Sequence, residues 1–239
     1  MIKLTLVVPC FNEEKSLPKL IKSISKLNSN IDFLIVENGS TDDSKIYLKK
    51  VENNLNSNIK ILYLDKNDGY GNGIYKGLIS ITNSDFVGWI HGDLQFEFEK
   101  INILYKKLNG ISENQQEIFY KGIRKGRSFS EKFFSYFMGI FASLILKMKF
   151  TEINAQPTIF SKNLMKEFYL PPKDFSFDTY VYWLAMKNNY SIIRDEFLFP
   201  QREYGLPNRS AASSTSPFAT FSRICDELTT KSFSDNASS

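Results

Sequence analysis

In the first half of this chain, short apolar runs alternate with stretches of helical periodicity, and each apolar run ends in a polar cluster. This rhythm limits the possible folds more than any other feature. Strand-like runs fall at Lys3 to Val8, Asp32 to Val36, Ile59 to Leu64 and Asp85 to Ile90. Between the first two, Leu17, Leu20, Ile21, Ile24 and Leu27 recur at helical spacing, with Ser16 placed as N-cap and Pro18 in the first turn. Strands joined through helices pair in parallel, so the rhythm predicts an α/β fold with a mostly parallel central sheet flanked by helices.

In such sheets ligands gather beyond the carboxyl ends of the strands, where loops converge and helix N-termini point. The polar clusters occupy those ends: PCFNEE follows the first run, ENGSTDD the second, DKNDGYGNG the third and HGDLQ the fourth. Together they point to a nucleotide-sized site. Asn67, Gly69, Gly71, Gly73 and Gly77 let backbone approach a ligand closely ahead of a helix N-terminus that favours negative charge. Their spacing is not that of the dinucleotide fingerprint. The stretch WIHGDLQFEFE holds the sole histidine, His91; if extended, it would carry His91, Asp93, Gln95, Glu97 and Glu99 on one face, as a metal site or a polar strand end.

At 239 residues the chain suits one sizeable domain. After Gly110 come a strand candidate at Glu117 to Gly122, the basic stretch KGIRKGR, helical patterns at 161–169 and 177–188, and a late strand in SIIRDEFLFP. From about Leu206 Ser, Thr and Ala dominate, so the domain is expected over 1–205 and a mobile tail over 206–239. A net charge of +4 with scattered lysines does not suggest a nucleic-acid binder. Cys10 and Cys225 are the only cysteines, consistent with a reduced intracellular protein. The N-terminus reads as a strand rather than a signal peptide. The most apolar segment, 133–150, leaves 14 uncharged residues between lysines, too short to span a bilayer.

Taken together and in order, VVPCFNEE, ENGSTDDS, NDGYGNGIYKG and HGDLQ resemble the family 2 inverting glycosyltransferases, which have the Rossmann-like GT-A fold. The likeness is strongest to their dolichyl- and polyprenyl-phosphate branch. It continues through Arg124 and Arg127, EINAQP, Asp178 and REYG, covering roughly residues 4–205. The resemblance implies a nucleotide-sugar pocket formed by Pro9, Phe11, Asn12, Glu13, Glu37, Asn38, Asn67, Gly69, Gly71, His91, Gly92 and Asp93. It also implies a divalent cation, Mn or Mg, held at Asp93 and Gln95. Two positions depart from the family: Glu37-Asn38 stands where the family has Asp-Asp, and His91 replaces the first Asp of D-x-D. Imidazole ligates Mn and later transition metals better than Mg, and could equally hydrogen-bond a ribose.

Arg124, Arg127 and Lys132 suit an acceptor phosphate or the donor diphosphate, and Arg202 matches a late family arginine that reaches the donor phosphates. The aromatics from Phe133 to Phe141 suit either a helix at a lipid interface or a buried core helix. The expected activity is sugar transfer from a nucleotide-diphosphate sugar to a polyprenyl phosphate, with peripheral contact at the cytoplasmic membrane face. A second copy of the chain or a membrane protein stays open as a partner. If the acceptor were a saccharide or lipid-linked glycan hydroxyl, a base would be needed, and Asp178 is the candidate. An inactive nucleotide-sugar-binding scaffold is the reading of another class.

Overall fold

The computed structural model describes residues 1–92, 94, 97–112, 117–125, 143 and 148–198. One seven-stranded sheet organises them, in the order β3-β2-β1-β4-β6-β5-β7. Its strands are β1 (Leu4–Cys10), β2 (Ile31–Asn38), β3 (Ile59–Leu64), β4 (Phe86–Trp89), β5 (Ile118–Lys125), β6 (Thr158–Ser161) and β7 (Ser191–Leu198). The helices are α1 (Leu17–Ile24), α2 (Ser44–Val51), α3 (Tyr70–Ser80), α4 (Lys100–Ser112) and α5 (Phe177–Lys187). Strands β1 to β4 are mutually parallel, β5 and β7 pair in parallel, and β6 runs antiparallel between β4 and β5. The mostly parallel α/β sheet expected from the sequence is therefore present.

Both faces of the sheet are buried, which is why its strands read as continuous apolar runs. Leu4, Leu6, Val8 and Cys10 of β1 pack with Leu17, Leu20 and Ile24 of α1 and with Ile101, Leu104 and Leu108 of α4. On the opposite face Val7 and Val36 pack with Ile74 and Leu78 of α3, while Phe119 and Phe160 pack with Phe177, Val181 and Leu184 of α5. Each of these fully buried side chains contributes roughly 1.5–3 kcal/mol.

Four local readings need correction. Ser16 occupies the N-cap position of α1 but makes no capping bond; its hydroxyl turns back to the Glu13 carbonyl at 3.1 Å. The helical pattern at 161–169 is a 3₁₀ turn, Lys162–Glu167, because β6 already ends at Ser161. That strand went unread because only four residues pair, directly after the EINAQP stretch. It fits beside β4 only because Gly88 lacks a side chain: a Cβ there would lie 2.1 Å from the Thr158 carbonyl oxygen. Finally, residues 91–99 do not form one extended face, since β4 ends at Trp89 and Leu94 adopts φ 62°. Glu97 and Glu99 precede α4; Glu97 pairs with Lys100 at 2.6 Å and accepts the Leu198 N–H at 3.0 Å.

Candidate active site

The chain steps outward from β1 to β2 and β3, then crosses to the other side of β1 to form β4. The β1/β4 boundary is thus a topological switch point, where the loops leaving the strands diverge and open a crevice. The loops expected to carry chemistry leave the carboxyl ends of strands β1 to β4. Gly92 packs against the end of β1, a Cβ there falling 3.0 Å from Cys10 Sγ and 3.5 Å from the Pro9 carbonyl oxygen.

The loop after β1 is tied to the loop after β2. Asn12 adopts φ 57°, which Asn tolerates better than most residues. Its amide N–H donates to Ser40 Oγ at 3.1 Å, and its side-chain oxygen accepts the Thr41 N–H at 2.8 Å. The Glu13 N–H donates to Ser44 Oγ at 2.9 Å, the Glu14 N–H to Asp42 Oδ2 at 3.2 Å, and Glu14 Oε2 accepts the Asp43 N–H at 3.2 Å. The STDDS run therefore braces the Phe11 to Glu14 turn. Gly39 makes this possible with φ 67°, its missing Cβ leaving room for the Lys66 backbone, which would otherwise lie 2.4 Å away.

Glu37 and Asn38 are both buried at the end of β2. Glu37 Oε1 accepts the Ser40 N–H at 2.6 Å, and Asn38 Nδ2 donates to the Gly69 carbonyl at 3.2 Å and to Asn67 Oδ1 at 3.4 Å. Asn67 Oδ1 also accepts the Gly69 N–H at 2.8 Å, which shapes the glycine loop. Glu37 Oε2 and Asn38 Oδ1 are buried acceptors with no hydrogen-bond partner among the described residues. Gly73 lies directly over Asn38, where a Cβ would come within 2.8 Å of Nδ2. The 170–176 loop closes on the glycine loop through Lys173 O, which accepts the Asn72 N–H at 3.1 Å. A cleft of about 800 Å³ lies between them, lined by Gly69, Asn72, Lys76, Pro172 and Lys173 among others.

His91 stands past the end of β4. Its Nε2 lies 3.2 Å from the Tyr70 hydroxyl, and Tyr70 stacks on Phe175 with centroids 4.7 Å apart. Beneath it the buried Gln156 amide donates to the Trp89 carbonyl at 2.8 Å, while its oxygen faces Trp89 Nε1 at 3.2 Å and His91 Nε2 at 3.0 Å. Neither Gln156 nor Tyr70 was singled out by sequence. A polar residue buried immediately before a proline offered only a weak signal.

Asp178, at the start of α5, is 3% exposed and faces a second residue the sequence reading passed over. Lys121 Nζ lies 3.3 Å from Asp178 Oδ1 and donates to Thr158 Oγ1 at 2.7 Å, with no solvent exposure at all. Burial pulls the Lys121 ammonium down to about 8; Asp178 opposes that fall, while Arg124 and Arg194 add to it. A charged residue within the apolar run IFYKGI was the available signal. Arg124 pairs through Nε with Glu152 Oε2 at 3.3 Å.

Asp93, Gln95, Arg127, Lys132, Arg202, most of the 133–150 segment and the 206–239 tail lie outside the described residues. Among those described, no group of three His, Cys, Asp or Glu side chains could hold a metal ion, and no helix is long and apolar enough to cross a membrane.

A model of glycosyl transferase family 2 matches residues 5–161. An uncharacterized protein of Methanocaldococcus jannaschii is 30% identical over 151 residues, which is 60% of this chain and 64% of that protein. An undecaprenyl-phosphate 4-deoxy-4-formamido-L-arabinose transferase of Enterobacter sp. (strain 638) is 28% identical over 130 residues, 50% of this chain and 39% of the relative. The match thus spans less than two thirds of the length of either relative. Glucosyl-3-phosphoglycerate synthase from Mycobacterium tuberculosis, crystallised with Mn2+, UDP and phosphoglyceric acid, shares the fold: TM-score 0.69 at 18% identity, over 94% of this chain and 78% of that one.

Proposed function

The chain belongs to glycosyl transferase family 2, and we propose that it moves a hexose from a nucleotide-diphosphate sugar to a polyprenyl phosphate at the cytoplasmic face of a membrane. Nucleotide binding at the ends of β1 to β3 is supported by the two buried, unpartnered acceptors, Glu37 Oε2 and Asn38 Oδ1. A buried acceptor without a donor costs about 1–3 kcal/mol, which a bound base or ribose donor offsets. Pro9, Phe11, Asn12, Glu13, Asn67, Gly69, Gly71 and Gly92 complete this pocket.

The choice of acceptor rests on the Lys121–Asp178 pair. A hydroxyl nucleophile needs a carboxylate able to take its proton, but the most suitable carboxylate is 3% exposed and held 3.3 Å from a buried ammonium. A phosphate monoester is already ionised near neutral pH and needs no such base. Its oxygen attacks the anomeric carbon as the bond to the diphosphate breaks. The relative named as an undecaprenyl-phosphate transferase supports the same acceptor class. Arg124, Arg127 and Lys132 are proposed to hold the acceptor phosphate, and Arg202 the donor phosphates.

A divalent cation suits the mixed donor set of His91, Asp93 and Gln95, whose imidazole favours Mn2+ over Mg2+. When bound, it supplies Lewis-acid neutralisation of the diphosphate leaving group. The test is incubation of the purified protein with a panel of nucleotide sugars, polyprenyl phosphate and Mn2+ or Mg2+, following radiolabel into the organic phase. Transfer that depends on Asp93 is the expected result. No transfer across the panel, with nucleotide binding intact, would make the protein a binding scaffold; label appearing only in glycan hydroxyls would restore Asp178 as a base.

A further inference from the structure

The hydrogen bonds around His91 fix which of its nitrogens carries the proton. The indole Nε1–H of Trp89 can only donate, and the Trp89 carbonyl can only accept. Both groups face the side chain of Gln156, at 3.2 and 2.8 Å, so only one orientation of that amide satisfies both. The Gln156 oxygen must then point toward the indole and, at 3.0 Å, toward His91 Nε2. An oxygen lone pair opposite a nitrogen lone pair at that distance is repulsive, so Nε2 must bear a hydrogen. Turning the amide over would gain only a 3.5 Å bond from its nitrogen to Asp178 Oδ1 and would break both Trp89 bonds, in a site where Gln156 is 1% and Trp89 0% exposed. The Tyr70 hydroxyl, 3.2 Å from Nε2, acts as a second acceptor of the same N–H.

We propose that Trp89 and Gln156 lock His91 in its Nε2–H form, leaving the Nδ1 lone pair as the nitrogen that binds the divalent cation. Gln156 is then a positioning residue that acts on the metal through His91. Nδ1 has no hydrogen-bond partner among the described residues, whereas Nε2 is committed on the side of the buried amide. A metal-binding imidazole commonly owes its tautomer to an acceptor on its other nitrogen, and loss of that acceptor weakens metal affinity about 10–100-fold. The lock also accounts for a histidine here in place of a carboxylate. A carboxylate at position 91 would set its lone pairs against the Gln156 oxygen, whereas a protonated Nε2 satisfies it.

The metal half of this proposal rests on the function proposed above; the tautomer does not. Because His91 is the only histidine, untagged protein labelled with 15N-histidine reports this one ring. At a pH of about 8.5, above the ordinary range of imidazole, the metal-free protein should show a protonated Nε2 and an unprotonated Nδ1. The reverse tautomer, or an equal mixture, overturns the lock. Gln156→Leu should yield a mixture and weaken Mn2+ affinity about 10–100-fold; a folded variant that keeps the pure Nε2–H form overturns the role of Gln156. Should that variant fail to fold, Tyr70→Phe decides the same point, because removal of an auxiliary acceptor should leave the tautomer unchanged. With Zn2+ and UDP added, the Nδ1 resonance should move while Nε2 keeps its proton. Zn2+ binding measured by calorimetry without any movement of Nδ1 removes His91 from the metal site. Absence of sugar transfer, by contrast, bears on the proposed function and leaves the tautomer result standing.

Discussion

Lys121 carries a testable electrostatic cost. Burial lowers its pKa in the folded protein to about 8, against an ordinary value of about 10.4 in the unfolded chain. Below pH 8 both states hold the proton, so the full cost of burying the charge is present. Between pH 8 and 10 the unfolded chain binds more protons than the folded one, so stability rises with pH. The gain over the whole interval is about 3 kcal/mol. Tyr120, whose hydroxyl is buried against Asp195 and whose pKa is pushed up, pulls the other way only above the ordinary tyrosine range. Urea midpoints should therefore climb from pH 8 to pH 10, and Lys121→Met should remove the climb. At pH 7 that single variant should lose about 3–5 kcal/mol, because Asp178 is left buried and unpaired, while Lys121→Met with Asp178→Leu should recover most of it. A single variant that costs nothing would mean the pair is not buried as described. Asn38 makes a second prediction: Asn38→Ala should keep the fold and weaken UDP or GDP binding about tenfold in calorimetry, from loss of one buried hydrogen-bonding group.

The elements that form the site differ in how far sequence could foresee them. The loops after β1 and β2 were legible because Asn12 and the STDDS run are local signals, and the side chains of each proved to accept backbone N–H groups of the other loop. The short β6 was not, since its pairing with β4 and β5 joins segments far apart in the chain, and its register depends on the bare backbone at Gly88. The extended reading of 91–99 failed for a related reason: period-2 alternation records side-chain type, whereas the turn at Leu94 is set by how that segment leaves the sheet. The braced pair of loops can be tested at Gly39. A Cβ there meets the Lys66 backbone at 2.4 Å in a left-handed conformation, so Gly39→Ala must shift a main chain rather than a flexible side chain. A loss of at least about 2 kcal/mol is expected in chemical unfolding, together with weakened nucleotide binding. A neutral substitution would show that the two loops move independently.

In the whole molecule, the parallel half of the sheet, β1 to β4, holds the loops read as a nucleotide site, and its periodicity and family motifs were both visible in the sequence. The other half, β5 to β7 with α5, contributes Lys121, Gln156 and Asp178, whose roles depend on which groups burial sets face to face. Sequence named Asp178 but could not show that Lys121 would meet it, because the two are separated by 57 positions. One continuous sheet joins the halves, and ligand binding to the folded chain can be read as a gain in stability. A nucleotide diphosphate with Mn2+ that binds only the folded chain adds about 2.7 kcal/mol at a hundredfold excess over its Kd. For a chain of this size each kcal/mol moves Tm by about 2–4 °C, so a rise of about 5–11 °C is expected. At the same concentration Asn38→Ala, with affinity weakened tenfold, should gain only about 1.4 kcal/mol, or roughly half the shift. Removing the metal with a chelator should shrink the shift in the parent protein if, as proposed, His91, Asp93 and Gln95 would hold a cation that neutralises the diphosphate. A parent protein whose Tm is unmoved by every nucleoside diphosphate would separate the fold of this family from its ligand, and the buried acceptors of Glu37 and Asn38 would then need another donor.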